Sequence, residues 1–239
     1  MLESNVTIVE LHGTELKFNS EKFTMNANQV WISGRLKDEF EYRYGTHENK
    51  FYQNKIEVAR ETGKIDSIPI VVSKKILLDI FNGEELKDKY VEICGHFRSR
   101  NIVDAEGRNH VDLYLFVRDI KLQSEEGEIS EENKNSNCIF LEGCVCRPPI
   151  RRQITRGNHI VEIMVAVNRD YGKADYIPCI IWGKTGLFAE RNLNVGDKVK
   201  IHGRVVSRKY PKKLSEEPKE VEVRETYEVS VAQLEKIED

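Results

Sequence analysis

The chain has 239 residues, of which 39% are apolar and 32% charged, the balance of a soluble globular protein and not of a disordered or membrane one. Its formal net charge is −3, and no apolar run approaches the roughly 18 residues that a bilayer span requires. MLESNVTIVE at the N-terminus has no basic start followed by an apolar stretch and cleavage site, so a cytoplasmic address is expected.

Residues 1–25 contain one segment of strand character, VTIVEL, compatible with a single added strand or a hairpin. From residue 26 to 122 the chain alternates apolar and polar positions in short runs, beginning with NQVWISGRL, and KKILLDIF (74–81) interrupts them with helical character. QSEEGEISEENKNS (123–136) has no periodicity and many carboxylates, the composition of a solvated linker. Alternation resumes at residue 137. Ile139 and Leu141 mark strand one of this part, Val161 to Val167 strand two, and Ile177, Cys179 and Ile181 strand three. KTGLFAERNL (184–193) reads as a helix; Val199, Ile201, Val205 and Ser207 mark strand four, and Val229 and Val231 strand five. The charged segment 209–227 reads as an extended hairpin between the last two strands.

The two parts are copies. NQVWISGRL (28–36) aligns with NCIFLEGCV (137–145), and FYQNKIEVARETGKIDSIPIVVS (51–73) with IVEIMVAVNRDYGKADYIPCIIW (160–182), at a constant shift of 109. YVEICGHFRSR (90–100) matches KVKIHGRVVSR (198–208) with one residue less. Five strands with a helix between the third and fourth is the order of an OB fold, so an all-β protein with two tandem five-stranded OB barrels is expected.

Catalytic and metal chemistry find little support. The five cysteines, Cys94, Cys138, Cys144, Cys146 and Cys179, include one close pair and no second pair to complete a zinc site. The histidines are scattered, no phosphate-binding or dinucleotide loop occurs, and the second copy's acids Asp170, Asp175 and Asp197 do not cluster as metal ligands. Neither a cofactor nor enzyme activity is expected.

If Ile177, Cys179 and Ile181 face inward, alternation turns Tyr176, Pro178, Ile180 and Trp182 outward. It likewise turns Lys200, His202, Arg204, Val206 and Arg208 outward, with Tyr210 just beyond. Aromatics among cations suit a single strand of nucleic acid, whose bases stack and whose phosphates attract positive charge. An oligomer interface is the other reading of such a face. Charge favours the first: residues 137–213 hold 15 Lys and Arg against 6 Asp and Glu, whereas residues 26–122 hold 16 of each. The repeat supplies a control, because Tyr171, Tyr176, Trp182 and Tyr210 fall opposite Thr62, Ser67, Ser73 and Ile102 of the first copy. The framework therefore persists without those aromatics.

NCIFLEGCVCRPPIRRQITRGNHIVEIMVAVNRDYGKADYIPCIIWGKT followed by GDKVKIHGRVVSRKY resembles the bacterial single-stranded DNA-binding protein family over about residues 136–234. The resemblance implies base stacking on Tyr171, Tyr176, Trp182 and Tyr210, with phosphate contacts from Arg151, Arg156, Arg169, Lys184, Arg204, Arg208 and Lys209. Arg169 has a counterpart, Arg60, in the copy without the aromatics and so has a structural reading as well; Arg147 and Arg152 stay open between the two roles. Kinship further implies a homodimer presenting four OB domains, and replication or repair proteins as partners. The chain ends at QLEKIED without the family's acidic, Phe-terminated tail, so recruitment is expected to fall to the linker or the first copy, if it occurs.

The sequence thus points to single-stranded DNA binding and protection in replication, recombination or repair. The expected organisation is an N-terminal extension (1–25), a diverged OB domain of structural or interaction role (26–122), the linker (123–136) and a DNA-binding OB domain (137–239). The alternative is a primosome-type interaction or scaffolding protein whose first OB domain holds a protein partner, with Phe40, Tyr42 and Tyr44 in the loop between strands one and two as a candidate contact set; packing of that loop against its own barrel is the other reading of these residues. RNA is a rival ligand, since only contacts to the sugar would discriminate.

Overall fold

A computed structural model describes residues 6–11, 14–19, 27–80, 85–103, 107–123, 136–153, 159–169, 172–213 and 221–238. The described residues are all-β apart from two short helices. β1 (Val6–Leu11) and β2 (Thr14–Asn19) form an antiparallel hairpin, so VTIVEL is one arm of a hairpin and not a lone strand.

The first copy contributes β3 (Asn28–Leu36), β4 (Glu41–Gly45), β5 (Lys50–Ala59), β6 (Ile65–Ser73), α1 (Lys74–Ile80), β7 (Tyr90–Val103) and β8 (Asn109–Leu122). The second contributes β9 (Asn137–Val145), β10 (Ile150–Gln153), β11 (His159–Asn168), β12 (Ala174–Trp182), α2 (Gly183–Asn192), β13 (Lys198–Lys213) and β14 (Val221–Ile237). In each copy the pairings return to their start: β3 pairs β5 and β7, with β6 and β8 completing the ring, and β9, β11, β12, β14 and β13 repeat the circuit. The edge strands β4 and β10 are additions that alternation alone did not reveal, being too short and too polar to carry a period.

Apolar residues fill the interior of each ring. Ile32, Ile56, Ile70, Ile93 and Leu115 are fully buried in the first copy, as are Ile139, Leu141, Ile177, Cys179 and Ile201 in the second. Where backbones meet most closely the residue is glycine. At the β13 bulge after His202, a Cβ on Gly203 would lie 2.4 Å from the Ser230 carbonyl oxygen, a distance no side chain tolerates.

The copies join through their first strands. β3 and β9 run antiparallel, with Val30 opposite Ile139, which occupy the same place in the repeat. A local two-fold relation follows, and the hydrogen bonds obey it. The Asn28 amide group brackets Phe97, donating from Nδ2 to its carbonyl and accepting its N–H on Oδ1; Asn137 brackets Val205 in the same way. Each copy also offers a buried aspartate to the other. The Ser99 N–H donates to Asp175 Oδ1 at 2.7 Å, and the Ser207 N–H to Asp66 Oδ1 at 2.7 Å. Asp66 is held by Arg60 at 2.5 Å and Asp175 by Arg169, so the repeated Arg and Asp pairs form the joint between copies.

Candidate nucleic-acid interface

β12 runs beneath the face that alternation picked out. Tyr176 and Trp182 are each 48% exposed, and six residues of strand separate them by about 20 Å. Their outward direction follows from their neighbours, since Ile177, Cys179 and Ile181 are fully buried inside. Trp182 also stands at the N-cap of α2, in extended conformation and with no side-chain cap bond. Gly183 follows at φ +60°, a left-handed conformation that lets the chain break from strand to helix there and leaves the indole at the turn.

Two expectations about this face need correction. Ile180 and Val206 lie on the outer side by alternation, yet they are 4% and 6% exposed. Strand periodicity says which side a residue takes but not what lies over that side. Val206 precedes Ser207, whose amide is bonded to Asp66 of the first copy, so β13 there lies against that copy. Val71, the counterpart of Ile180, is fully buried as well. Cover over the middle of the outer face is therefore common to both copies.

Cations surround what remains open. Lys184 is exposed in the first turn of α2, Arg204 is half-buried on β13 opposite Ser230, and Lys209 is exposed further along β13. The Arg208 guanidinium lies 5.7 Å from the centre of the Tyr210 ring, and its Nε is 3.6 Å from a carboxylate oxygen of Glu228. That Nε is buried and has no hydrogen-bond partner among the described residues. Burial pushes the Glu228 carboxyl above the usual range, so the face carries a carboxylate whose ionised form is disfavoured where it stands.

The structure separates the expected residues. Ile150 and Arg152 of β10 share the outer side of Glu162 and Ile160, and Arg152 forms an ion pair with Glu162. Arg151, one position away, pairs with Val161 and takes the other side of the strand, though it is exposed. Of the two roles left open for Arg152, its position beside the aromatic face is the one that sequence could not assign, because no period is readable in four residues. Arg169 is drawn away from the face: it donates to Asp175 from Nε at 2.8 Å and to the Ser99 carbonyl at 2.8 Å. Its hydrogen bond to Asp175 raises its own proton affinity further. Tyr210 is half-buried on β13 opposite Arg224. Arg156 and Tyr171 lie outside the described residues.

Among the described residues no group of three or more His, Cys, Asp and Glu side chains is placed to hold a metal ion, and the five cysteines are unpaired thiols. Among the described residues no helix is long and apolar enough to cross a membrane.

The chain is similar to known proteins in sequence and in fold. The model of the single-strand binding protein family matches residues 136–236. The chain is 36% identical over 81 residues to single-stranded DNA-binding protein 1 of Clostridium acetobutylicum, covering 31% of this chain and 74% of that protein. It is 30% identical over 80 residues to single-stranded DNA-binding protein B of Bacillus subtilis, covering 31% of this chain and 71% of the relative. In structure it is similar to the wild-type single-stranded DNA binding protein from Thermus aquaticus, with a TM-score of 0.67 and 19% identity over 89% of this chain and 93% of the other. The fold is therefore shared across both copies, while the sequence kinship rests on the second. The order of motifs, the matched span and the two bacterial relatives agree that this chain belongs to the single-strand binding protein family.

Proposed function

We propose that the chain binds single-stranded DNA with little sequence preference, by stacking bases on aromatic side chains and holding phosphates with Lys and Arg. The observation that carries this reading is the pair of half-exposed rings, Tyr176 and Trp182, on one strand face with Lys184, Arg204 and Arg208 around it. Large aromatics left in water among cations cost hydrophobic free energy unless a ligand covers them, and unpaired bases over a phosphate chain are such a ligand. Relatives named single-stranded DNA-binding proteins support the same ligand.

In this reading residues 26–122 and 137–239 are two OB-type barrels, preceded by the extension 1–25 and joined by the linker 123–136. Tyr171 and Tyr210 extend the stacking platform, and Arg151, Arg156 and Lys209 contact phosphates at its margin. Arg169 is a positioning residue: its guanidinium is engaged by Asp175 and Ser99, so it sets the joint between copies and not the phosphate register. Two copies per chain and the family membership support a homodimer presenting four barrels.

Titration of the full chain with single-stranded and duplex DNA of equal length tests the reading. Tryptophan emission should be quenched by the single strand through Trp182, with far weaker binding of duplex. Equal affinity for the two at moderate salt would remove the proposal.

A further inference from the structure

We propose that the first copy carries a second nucleic-acid contact surface, built at positions other than those used by the second copy and continuous with it. A single strand would then run along Trp182 and Tyr176, cross at Ser99, and continue over Tyr44 and Phe51. The inference rests on the reading of the β12 face as an interface for single-stranded DNA.

The first copy lacks Tyr176 and Trp182 but not aromatic surface. Tyr44 of β4 and Phe51 of β5 have ring centres 5.1 Å apart at a tilt of 32°, and Phe51 lies 5.8 Å from Phe116 of β8. All three rings keep part of their surface in solvent. Arg100 of β7 is 46% exposed; its Nε lies 3.7 Å from a carboxylate oxygen of Asp112, and its guanidinium stands 5.3 Å from the centre of the Tyr44 ring. Beneath them Arg43 is sandwiched 4.6 Å over the Tyr114 ring and paired with Asp112, which anchors β4. The result is a platform with an accessible cation at its edge, as a stacked base with its phosphate requires.

The repeat shows that this platform is no relic of a shared one. By register Tyr44, Phe51 and Phe116 fall opposite Arg152, Ile160 and Ser230 of the second copy, while Tyr176 and Trp182 fall opposite Ser67 and Ser73 of the first. Each copy has aromatics where the other has none. The expectation of a structural or protein-binding role for the first copy rests on its net charge of zero and on equivalent positions, and a comparison of equivalent positions does not see a platform displaced to β4, β5 and β8.

The two surfaces meet at the joint. The Tyr176 N–H donates to Ser99 Oγ at 2.7 Å, and Ser99 adjoins Arg100, the cation over Tyr44. From Tyr176 the route onto the first copy therefore crosses one residue. Arg98 and Arg169 flank Ser99 and share the single buried carboxylate of Asp175, so the crossing keeps an excess of positive charge, with Arg169 held at the joint. Charge complementarity and continuity with the β12 face select a nucleic-acid strand as occupant over a protein partner.

The test uses the full chain and two lengths of oligo(dT). One is about 8 nucleotides, within the roughly 4–16 that one OB fold covers, and the other about 30. Arg100→Glu changes an exposed side chain and leaves the core alone; Tyr44→Ala removes the ring, and Tyr44→Phe restores it. Arg100→Glu and Tyr44→Ala should each weaken the long oligonucleotide about ten-fold, with the short one, held by the second copy, changing less than about two-fold. Tyr44→Phe should bind as the unaltered chain does. Long-oligonucleotide affinity unmoved by both Arg100→Glu and Tyr44→Ala would overturn the proposal, and so would equal losses at both lengths. Failure of the underlying reading looks different, since the unaltered chain would then show no preference for single strand over duplex.

Discussion

Replacing Trp182 by alanine should weaken single-stranded DNA binding about 5- to 150-fold, the equivalent of the roughly 1–3 kcal/mol that one stacked base contributes. The structure separates this loss from unfolding. Half of the indole is in solvent, and its side chain makes no cap bond to α2, so the change in stability should stay near the roughly 0.5 kcal/mol typical of surface substitutions. Tyr176→Ala should act similarly, because the bond that ties Tyr176 to Ser99 is made by its backbone N–H and survives the substitution. Binding is best followed by anisotropy of a labelled oligo(dT), since Trp182→Ala removes the intrinsic reporter and leaves Trp31, in the joining strand β3. Salt must be held fixed, because the phosphate contribution varies steeply with it. Thermal midpoints measured alongside should move little. If neither Trp182→Ala nor Tyr176→Ala changes affinity by more than about two-fold, well below one stacked base, the strand is held elsewhere and the stacking argument fails.

Arg208→Ala should lower the slope of log affinity against log salt by about one unit, the signature of one lost phosphate contact; an unchanged slope would leave Arg208 as a partner of Glu228 and Tyr210 only. Asp175→Ala should destabilise the fold by about 3–5 kcal/mol in a denaturant titration, because it strands Arg169 and Arg98 at the joint without their carboxylate; a loss under about 1 kcal/mol would show that the buried pairs do not hold the copies together. Burial lowers the proton affinity of His96 and His202. Each therefore contributes stability above the unfolded value of about 6.5 that is lost as pH falls through its folded value. The stability difference between the chain and its His202→Gln variant should accordingly shift between pH 7.5 and pH 5.5, and a pH-independent difference would refute the assignment. Mass in solution at micromolar concentration should be that of two chains, and a strictly monomeric mass would dispose of the homodimer.

Much of this protein was legible in one dimension because its information is periodic. Strands that bury one face must alternate, so Ile177, Cys179 and Ile181 announced the inside of β12 and, by difference, the exposure of Tyr176 and Trp182. The constant shift of 109 made the duplication visible and identified Asp66 and Asp175 as equivalent residues. The helices at Lys74–Ile80 and Gly183–Asn192 fell within a residue of the places where the alternation breaks.

What the tertiary structure alone decided concerns contacts between elements distant in the chain. The β3 and β9 pairing, the exchange of Asp66 and Asp175 with Ser207 and Ser99, and the burial of Val206 beside that exchange depend on how one copy lies against the other. Sequence alone assigned Arg169 two possible roles; the fold placed it at the joint, where the buried Asp175 carboxylate would be left uncompensated without its cations. Tyr44 stood out in the sequence beside Phe40 and Tyr42, but its grouping with Phe51 and Phe116 was hidden, since these rings sit on three strands with no common spacing. Side-chain periodicity is a property of one strand and can be read along the chain; a surface assembled across strands is set by register and packing, and exists only once the sheet has closed.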